Sequence, residues 1–347
     1  MYKAFIDKLE KNTILTFEEY LALIQHPEEV RDYAAERAFA VRKKYYGTAV
    51  YIRGLIEFTN YCKNNCYYCG LRKDNTALER YRLSIDEIVE CAKNGYELGF
   101  RTFVIQGGED EYYTDEMLCR AVSEIKRNHP DCAVTLSLGE RSYESFRLLK
   151  NAGADRYLLR HETANSSHYQ KLHPPAMSYD NRMRCIADLK SLGYQVGIGF
   201  MVGSPFQTDE DLANEFLFIK KIQPQMVGIG PFISHKDTPF RKFKDGTAEL
   251  TVFLLSLIRL TLPKVLLPAT TALGTIDPLG REKGIEASAN VLMPNLSPVG
   301  VRKKYMLYDN KICTGEEAAQ CIVCLKNRIA KTGCEIVTDK GDYKYEV

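Results

Sequence analysis

Three cysteines, Cys62, Cys66 and Cys69, lie in the stretch EFTNYCKNNCYYCGLR, with three residues between the first two and two between the last two. A loop with that spacing can wrap three thiolates around one corner of a cuboidal iron–sulfur cluster, which ordinarily takes four cysteine ligands. One iron is then left without a protein ligand, open to a small chelating molecule. The competing reading is zinc binding or thiol redox chemistry, the commoner uses of a CxxC pair. Zinc fills its structural sites with four ligands, usually as two separated pairs, and here no fourth Cys or His stands alongside.

Tyr68 directly precedes Cys69. The run is thus similar to the CxxxCxxC signature of the radical SAM superfamily, which often carries an aromatic residue before its last cysteine. In that chemistry S-adenosylmethionine (SAM) chelates the open iron of a [4Fe-4S] cluster and is cleaved to a 5′-deoxyadenosyl radical. Gly107, Gly108 and Glu109 follow the apolar run TFVIQ, which ends at Gln106. Two glycines let a backbone approach a small zwitterion closely, and its carbonyls could accept from an ammonium. Alone this is an ordinary turn; one βα unit after the cysteine loop it resembles the GGE motif that holds the methionine amino group of SAM. Arg160 and Glu162, flanking His161 in YLLRHETAN, place a cation and an anion at a strand end, where a structural salt bridge is the default. Arg182, early in the next helix, adds a fork suited to a carboxylate. With the cluster loop in place, Glu162 is expected to meet the ribose hydroxyls of SAM, Arg182 its carboxylate, and Arg160 a second anion.

These residues need a scaffold that gathers them. Short apolar runs alternate with amphipathic helical stretches from AVYIRGLIEF (49–58) through RTFVIQ, AVTLSLG, RYLLR, QVGIGFMVG, MVGIGPFI and KVLLPATT (264–271) to NVLMP (290–294). Ser84 with Glu87, and Thr208 with Asp211, mark helix starts. Eight such units predict an α/β fold, a (β/α)8 TIM-type barrel, in which the loops after the strands converge on one mouth. The cysteine loop, Gly107–Glu109, Arg160–Glu162 and Thr270–Thr271 all follow or end predicted strands. Residues 1–48 read as an N-terminal helical extension, 49–299 as the barrel and 300–347 as a C-terminal cap.

The 347 residues include 47 Lys+Arg and 45 Asp+Glu, and no basic block that would neutralise a phosphate backbone, so nucleic acid is not an expected partner. The N-terminus lacks the apolar core of a signal peptide, and the helix ELTVFLLSLIRLTL is too short to span a bilayer. No membrane association is expected. Eleven cysteines without an export signal point to a reducing compartment, the cytoplasm, rather than to a disulfide framework. Cys91, Cys119, Cys132 and Cys185 fall singly in predicted elements and read as inert buried thiols.

The strings EFTNYCKNNCYYCGLR, ERYRLS, QGGEDEYY, TLSLGE, ADRYLLRHETAN, MVGIGPFI and PATTALGTI together resemble the HydE family of radical SAM maturases of [FeFe]-hydrogenase, from about residue 50 to about 325. The resemblance implies a barrel enzyme acting on a small organometallic substrate, an Fe(CO)2(CN)(cysteine) precursor, on the way to the di-iron subcluster. It implies other maturases, HydG and HydF, as partners. By motif matching, Gln106, Thr135, Arg160, Thr270, Thr271, Met293 and Tyr305 face that substrate. A second set, Cys313, Cys321 and Cys324, could hold an auxiliary cluster, [2Fe-2S] or [4Fe-4S], with free thiols or adventitious metal as the alternative and Cys334 an unsupported fourth ligand. Two other functions fit the three-cysteine loop. One is a radical SAM enzyme of the methylornithine synthase or biotin synthase type; the other is a non-enzymatic iron–sulfur carrier, for which Gly107, Gly108, Glu162 and Arg182 would be idle.

Overall fold

A computed structural model describes residues 1–315 and 322–345. The chain opens with helices Tyr2–Asn12, Phe17–Gln25 and Arg31–Tyr46. The second starts at a capping box in which the Thr16 side chain and Glu19 satisfy each other's backbone N–H. The third packs on helix Ala248–Thr261, which is apolar nearly all round and correspondingly buried along most of its length.

The first predicted strand divides at Arg53. Ala49–Ile52 pairs in parallel with Val291–Leu292 and with Glu335–Val337, while Gly54–Thr59 pairs with Thr102–Gly107. From there the ladder runs in parallel through Ala133–Ser137, Arg156–Leu158, Gln195–Ile198 and Met226–Val227. Three isolated bridges, Met226 to Leu266, Pro268 to Val291 and Leu55 to Asn295, close the ring. The result is the expected α/β barrel of parallel strands with helices outside.

Two departures from the predicted elements have physical causes. KVLLPATT forms no regular strand: only Leu266 and Pro268 make bridges, because Pro268 has no N–H for the ladder. Thr271 is therefore not the end of a strand but the first residue of helix Thr271–Ile276, and Thr270 caps it by accepting from Leu273 N. The runs 195–203 and 226–233 each break at a glycine, the second pieces Met201–Val202 and Gly230–Pro231 pairing with each other. A Cβ on Gly199 would lie 2.0 Å from Gly228 O; only glycine lets these strands pack that closely before they splay.

The C-terminal segments visit both ends of the barrel. Residues 303–312 lie across the mouth, where Asn60 Nδ2 donates to Lys304 O (2.7 Å), Gly70 N to Leu307 O (2.8 Å) and Lys236 N to Asp309 Oδ2 (2.8 Å). Further on, Lys340 O accepts from Thr102 Oγ1 and Arg156 Nη2 at the opposite end. Among the described residues no helix is long and apolar enough to cross a membrane.

Candidate active site

The cysteine loop leaves the barrel at Thr59 and is held by groups that satisfy backbone rather than one another. Asn60 clamps it, its Nδ2 donating to Glu79 O and Lys304 O and its Oδ1 accepting from Tyr81 N. Arg80 donates to the carbonyls of Asn60, Leu71 (2.9 Å), Arg72 (2.7 Å) and Asn75 (3.1 Å). A planar fork of five donors can bracket a loop in this way where lysine cannot. Arg80 lies in the string ERYRLS but bears no chemical signature of its own, so its role is visible only in the fold.

Cys62, Cys66 and Cys69 all face one cavity of about 350 Å3 at the barrel mouth. Burial raises all three thiols: Cys62 upward, Cys69 to about 12, and Cys66 well above its ordinary value, with the neighbouring Cys69 and Cys62 sulfurs adding to it. The polypeptide therefore does little to ionise them, and a bound cation must supply that energy. A redox-active CxxC, by contrast, has its thiol activated by nearby positive charge, and here Arg80 and Arg182 offset the effect of burial only in part. Three cysteines on one short loop, all facing a single cavity, suit a four-iron cube, which takes each sulfur at a separate iron and leaves the fourth iron open.

Gly107–Glu109 passes directly behind the loop. Glu109 N donates to Cys62 Sγ (3.4 Å) and Lys63 N to Glu109 O (2.9 Å). A Cβ on Gly108 would meet Tyr61 O at 2.1 Å, so the glycine serves the contact between the two loops. The Glu109 carboxylate turns away to accept from Glu140 N (3.1 Å), over Gly139, whose φ of +74° and lack of Cβ make room for it. Burial raises the Glu109 carboxyl, against the pull of Arg182.

On the facing wall Arg182 donates through Nε to Glu140 Oε1 (2.6 Å) and through Nη1 to Arg160 O (2.7 Å), leaving Nη2 without a hydrogen bond among the described residues. Glu140, which sequence reasoning missed, is thus its carboxylate partner. Arg160 Nη2 and Glu162 Oε2 are 3.1 Å apart, an ion pair by distance, yet their angle makes no hydrogen bond. Both atoms, and Arg160 Nε, are buried without a hydrogen-bond partner. Buried polar groups in that state call for a ligand, and they face the same cavity as the cysteines.

Gln106, Thr270, Thr271, Met293 and Tyr305 line the same cavity, with Gln106 Nε2 3.5 Å from Tyr305 Oη. Thr135 is not among the residues that line the cavity. It lies one strand repeat below Ser137, and it is Ser137 that lines the cavity, because alternate residues of a strand share a face at different depths. Thr135 is buried there with its hydroxyl unpartnered. Sequence reasoning also missed Glu57 and Lys311, a buried pair in the cavity wall: Lys311 Nζ donates to Glu57 Oε1 (2.6 Å) and Tyr305 O (2.9 Å). Asn295 Nδ2 donates to the other Glu57 oxygen (2.8 Å).

Of the second cysteine set, Cys313 is half-buried, 3.8 Å from Arg281 Nη1, and Cys324, in helix Ile322–Ala330, is held in a disulfide. Cys321 lies outside the described residues. Cys334 is buried on its own beside Arg42 Nη1 (3.1 Å), which is no ligand position.

A parallel barrel whose mouth carries a three-cysteine loop, a GGE turn and an ion pair with unfilled hydrogen bonds is that of a radical SAM enzyme. The Radical SAM superfamily model matches residues 56–219. The crystal structure of methylornithine synthase (PylB) superposes with a TM-score of 0.81 over 96% of this chain and 97% of that one, at 24% identity, a likeness of fold. A 3-methylornithine synthase of Methanosarcina barkeri is 29% identical over 81% of this chain and 79% of its own length. The [FeFe] hydrogenase maturase subunit HydE of Thermotoga maritima is 48% identical over 88% of this chain and 86% of its own length. The chain belongs to the HydE family of radical SAM enzymes. Membership implies a [4Fe-4S] cluster and SAM, and the donor set described above fits both.

Proposed function

We propose that this enzyme acts in [FeFe]-hydrogenase maturation, on a small organometallic iron complex carrying carbonyl, cyanide and cysteine ligands, supplied by a partner maturase. The observation that carries the reading is a single cavity lined both by the cysteine loop and by Arg160, Gln106, Thr270 and Thr271. When bound, the cluster supplies one electron for cleavage of SAM to methionine and a 5′-deoxyadenosyl radical. Cys62, Cys66 and Cys69 would hold the cluster. Backbone carbonyls of Gly107–Glu109 would take the SAM ammonium, Arg182 Nη2 its carboxylate, and Glu162 the ribose hydroxyls. Arg160, Gln106 and the two threonines offer donors to an anion, in a wall otherwise formed by apolar groups such as Leu158, Met201 and Met293 that exclude water. Cys313, Cys321 and, once its disulfide is reduced, Cys324 are proposed to bind an auxiliary cluster with no part in turnover.

A methylornithine-forming mutase is the second reading, favoured by the likeness in fold. Its amino-acid substrate would need a free carboxylate for the ammonium near the barrel centre. Glu57 lines the cavity, but both its oxygens are occupied, by Lys311 and Asn295. Anaerobically reconstituted protein with SAM and dithionite tests the proposal: 5′-deoxyadenosine should form, and the organometallic complex should be consumed. Methylornithine from added lysine would replace this reading with the mutase, and an intact cluster yielding no 5′-deoxyadenosine would leave a carrier.

A further inference from the structure

Glu162 has φ +65°, a left-handed conformation that a non-glycine residue seldom adopts without surroundings that impose it. The imposing contacts converge on its neighbours. The N–H groups of His161 and Glu162 both donate to Gly199 O, each at 3.0 Å, while Gly199 N donates back to His161 Nδ1 (3.3 Å). Gly199 itself lies close against the Gly228 carbonyl, with no room there for a Cβ. On the other side of the ring, His161 Nε2 is 2.7 Å from Glu215 Oε2, and both side chains have 0% exposure. The second oxygen of Glu215 accepts from Ala164 N (2.6 Å). One helical turn earlier on the same helix, Asp211 accepts from Asn165 Nδ2 (2.6 Å). A single helix, Asp209–Ile222, thus grips the turn 161–165 from behind while Gly199 fixes its front.

The pattern also settles the imidazole. Nδ1 receives the Gly199 N–H and so carries no proton; the proton sits on Nε2 and is donated to Glu215, an assignment made from the partners. Glu215 must in turn offer two acceptors, one to His161 and one to Ala164, which a carboxylate does and a glutamine does not. Neither His161 nor Glu215 lines the cavity.

We infer that His161 and Glu215 are positioning residues that act through Glu162, forcing its carboxylate into the cavity in the geometry SAM requires. This rests on the proposed contact between Glu162 and the ribose. In Glu215→Gln the amide N–H2 must face either the Ala164 N–H or the imidazole N–H. Turning the imidazole to its other tautomer would forfeit the Gly199 bond. Supporting groups behind a ligand-holding residue commonly count for ~10–100-fold.

The test is a double-mutant cycle on the anaerobically reconstituted holoenzyme, reading SAM affinity by equilibrium dialysis. Glu215→Gln should weaken SAM binding by about tenfold or more in the Glu162 background and by nothing further in Glu162→Ala, since its only route to SAM has then gone. Nitrogen-15 NMR of the histidines in the cluster-free protein should show His161 protonated at Nε2 alone, a signature that Glu215→Gln alters. Should Glu215→Gln fail to fold, His161→Gln, which leaves the Glu215 bond to Ala164 intact, carries the same cycle. Unchanged SAM affinity in Glu215→Gln, or an equal loss in the Glu162→Ala background, would overturn the inference. Wild-type holoenzyme that does not bind SAM would instead overturn the reading beneath it, and the NMR signature would still report on the turn itself.

Discussion

Replacing Gly108 with alanine would place a Cβ 2.1 Å from the carbonyl oxygen of Tyr61 and 2.7 Å from the Cβ of Cys62. Real Cβ atoms do not approach closer than 3.0 Å, so the two loops must part by about 1 Å. The obstacle is backbone and cannot rotate away. Overpacking of this kind costs ~1–3 kcal/mol, and the melting temperature should fall by roughly 2–6 °C. The chemical loss should be larger than the stability loss. The displaced strands carry the Glu109 N–H to Cys62 Sγ bond on one side and the carbonyls assigned to the SAM ammonium on the other, and a shift of ~1 Å in a positioned reactant costs on the order of 100-fold in rate. Gly107→Ala probes a different contact: its Cβ meets buried side chains, Phe58 Cε1 at 2.6 Å and Thr59 Cγ2 at 2.7 Å, and not the backbone of the cysteine loop, so its loss should fall on stability more than on SAM affinity. The assays are iron per chain after anaerobic reconstitution, SAM affinity and the rate of 5′-deoxyadenosine formation. Gly108→Ala indistinguishable from wild type in all three, or milder than Gly107→Ala, would refute the claim that this glycine exists for the contact between the loops.

Cys66→Ala should abolish 5′-deoxyadenosine formation, whereas Cys313→Ala should lower iron content and leave that activity largely intact; the reverse outcome would exchange the two cluster assignments. Lys311→Met would strand the Glu57 carboxylate in the barrel wall, a loss of ~3–5 kcal/mol in urea unfolding, and adding Glu57→Gln should restore much of it. Burial lowers the imidazole of His173 to about 3, where its Nδ1–H donates to Tyr169 O and its Nε2 accepts from the Tyr68 hydroxyl. Below about pH 6.5 the unfolded chain therefore takes up a proton that the folded chain refuses. The His173 contribution is complete above that pH and is lost toward pH 3, by about 1.4 kcal/mol per unit. His173→Gln should flatten the decline in stability across roughly pH 4 to 6, and an unchanged slope would show that the ring is protonated in the fold.

Much of the scaffold was legible because its signals are local. Strand and helix periods repeat along the chain, and the capping pairs at Ser84 and Thr208 form where read. The failures were also local in origin but tertiary in outcome. Pro268 removed a donor from an apolar run that otherwise reads as strand. The strands also break at Gly199 and Gly228, where Gly199 must be glycine because the Gly228 carbonyl occupies the place of its Cβ. Thr135 and Ser137 share a strand face, and only the depth of the cavity decided which of them lines it.

The sequence by itself determined the chemistry. Three cysteines within eight residues can reach one cluster whatever surrounds them, because the loop is too short for them to separate, and their spacing leaves an iron open. Tertiary structure decided what holds that chemistry in place. Arg80 on the cysteine loop, Glu140 on Arg182, Lys311 on Glu57 and Glu215 on His161 are pairings across 9 to 254 positions of chain, and none has a motif. A charge or amide finds such a partner only when the fold has removed the water that would otherwise satisfy it. The reactive residues were therefore readable from composition and spacing, and their supports only from burial.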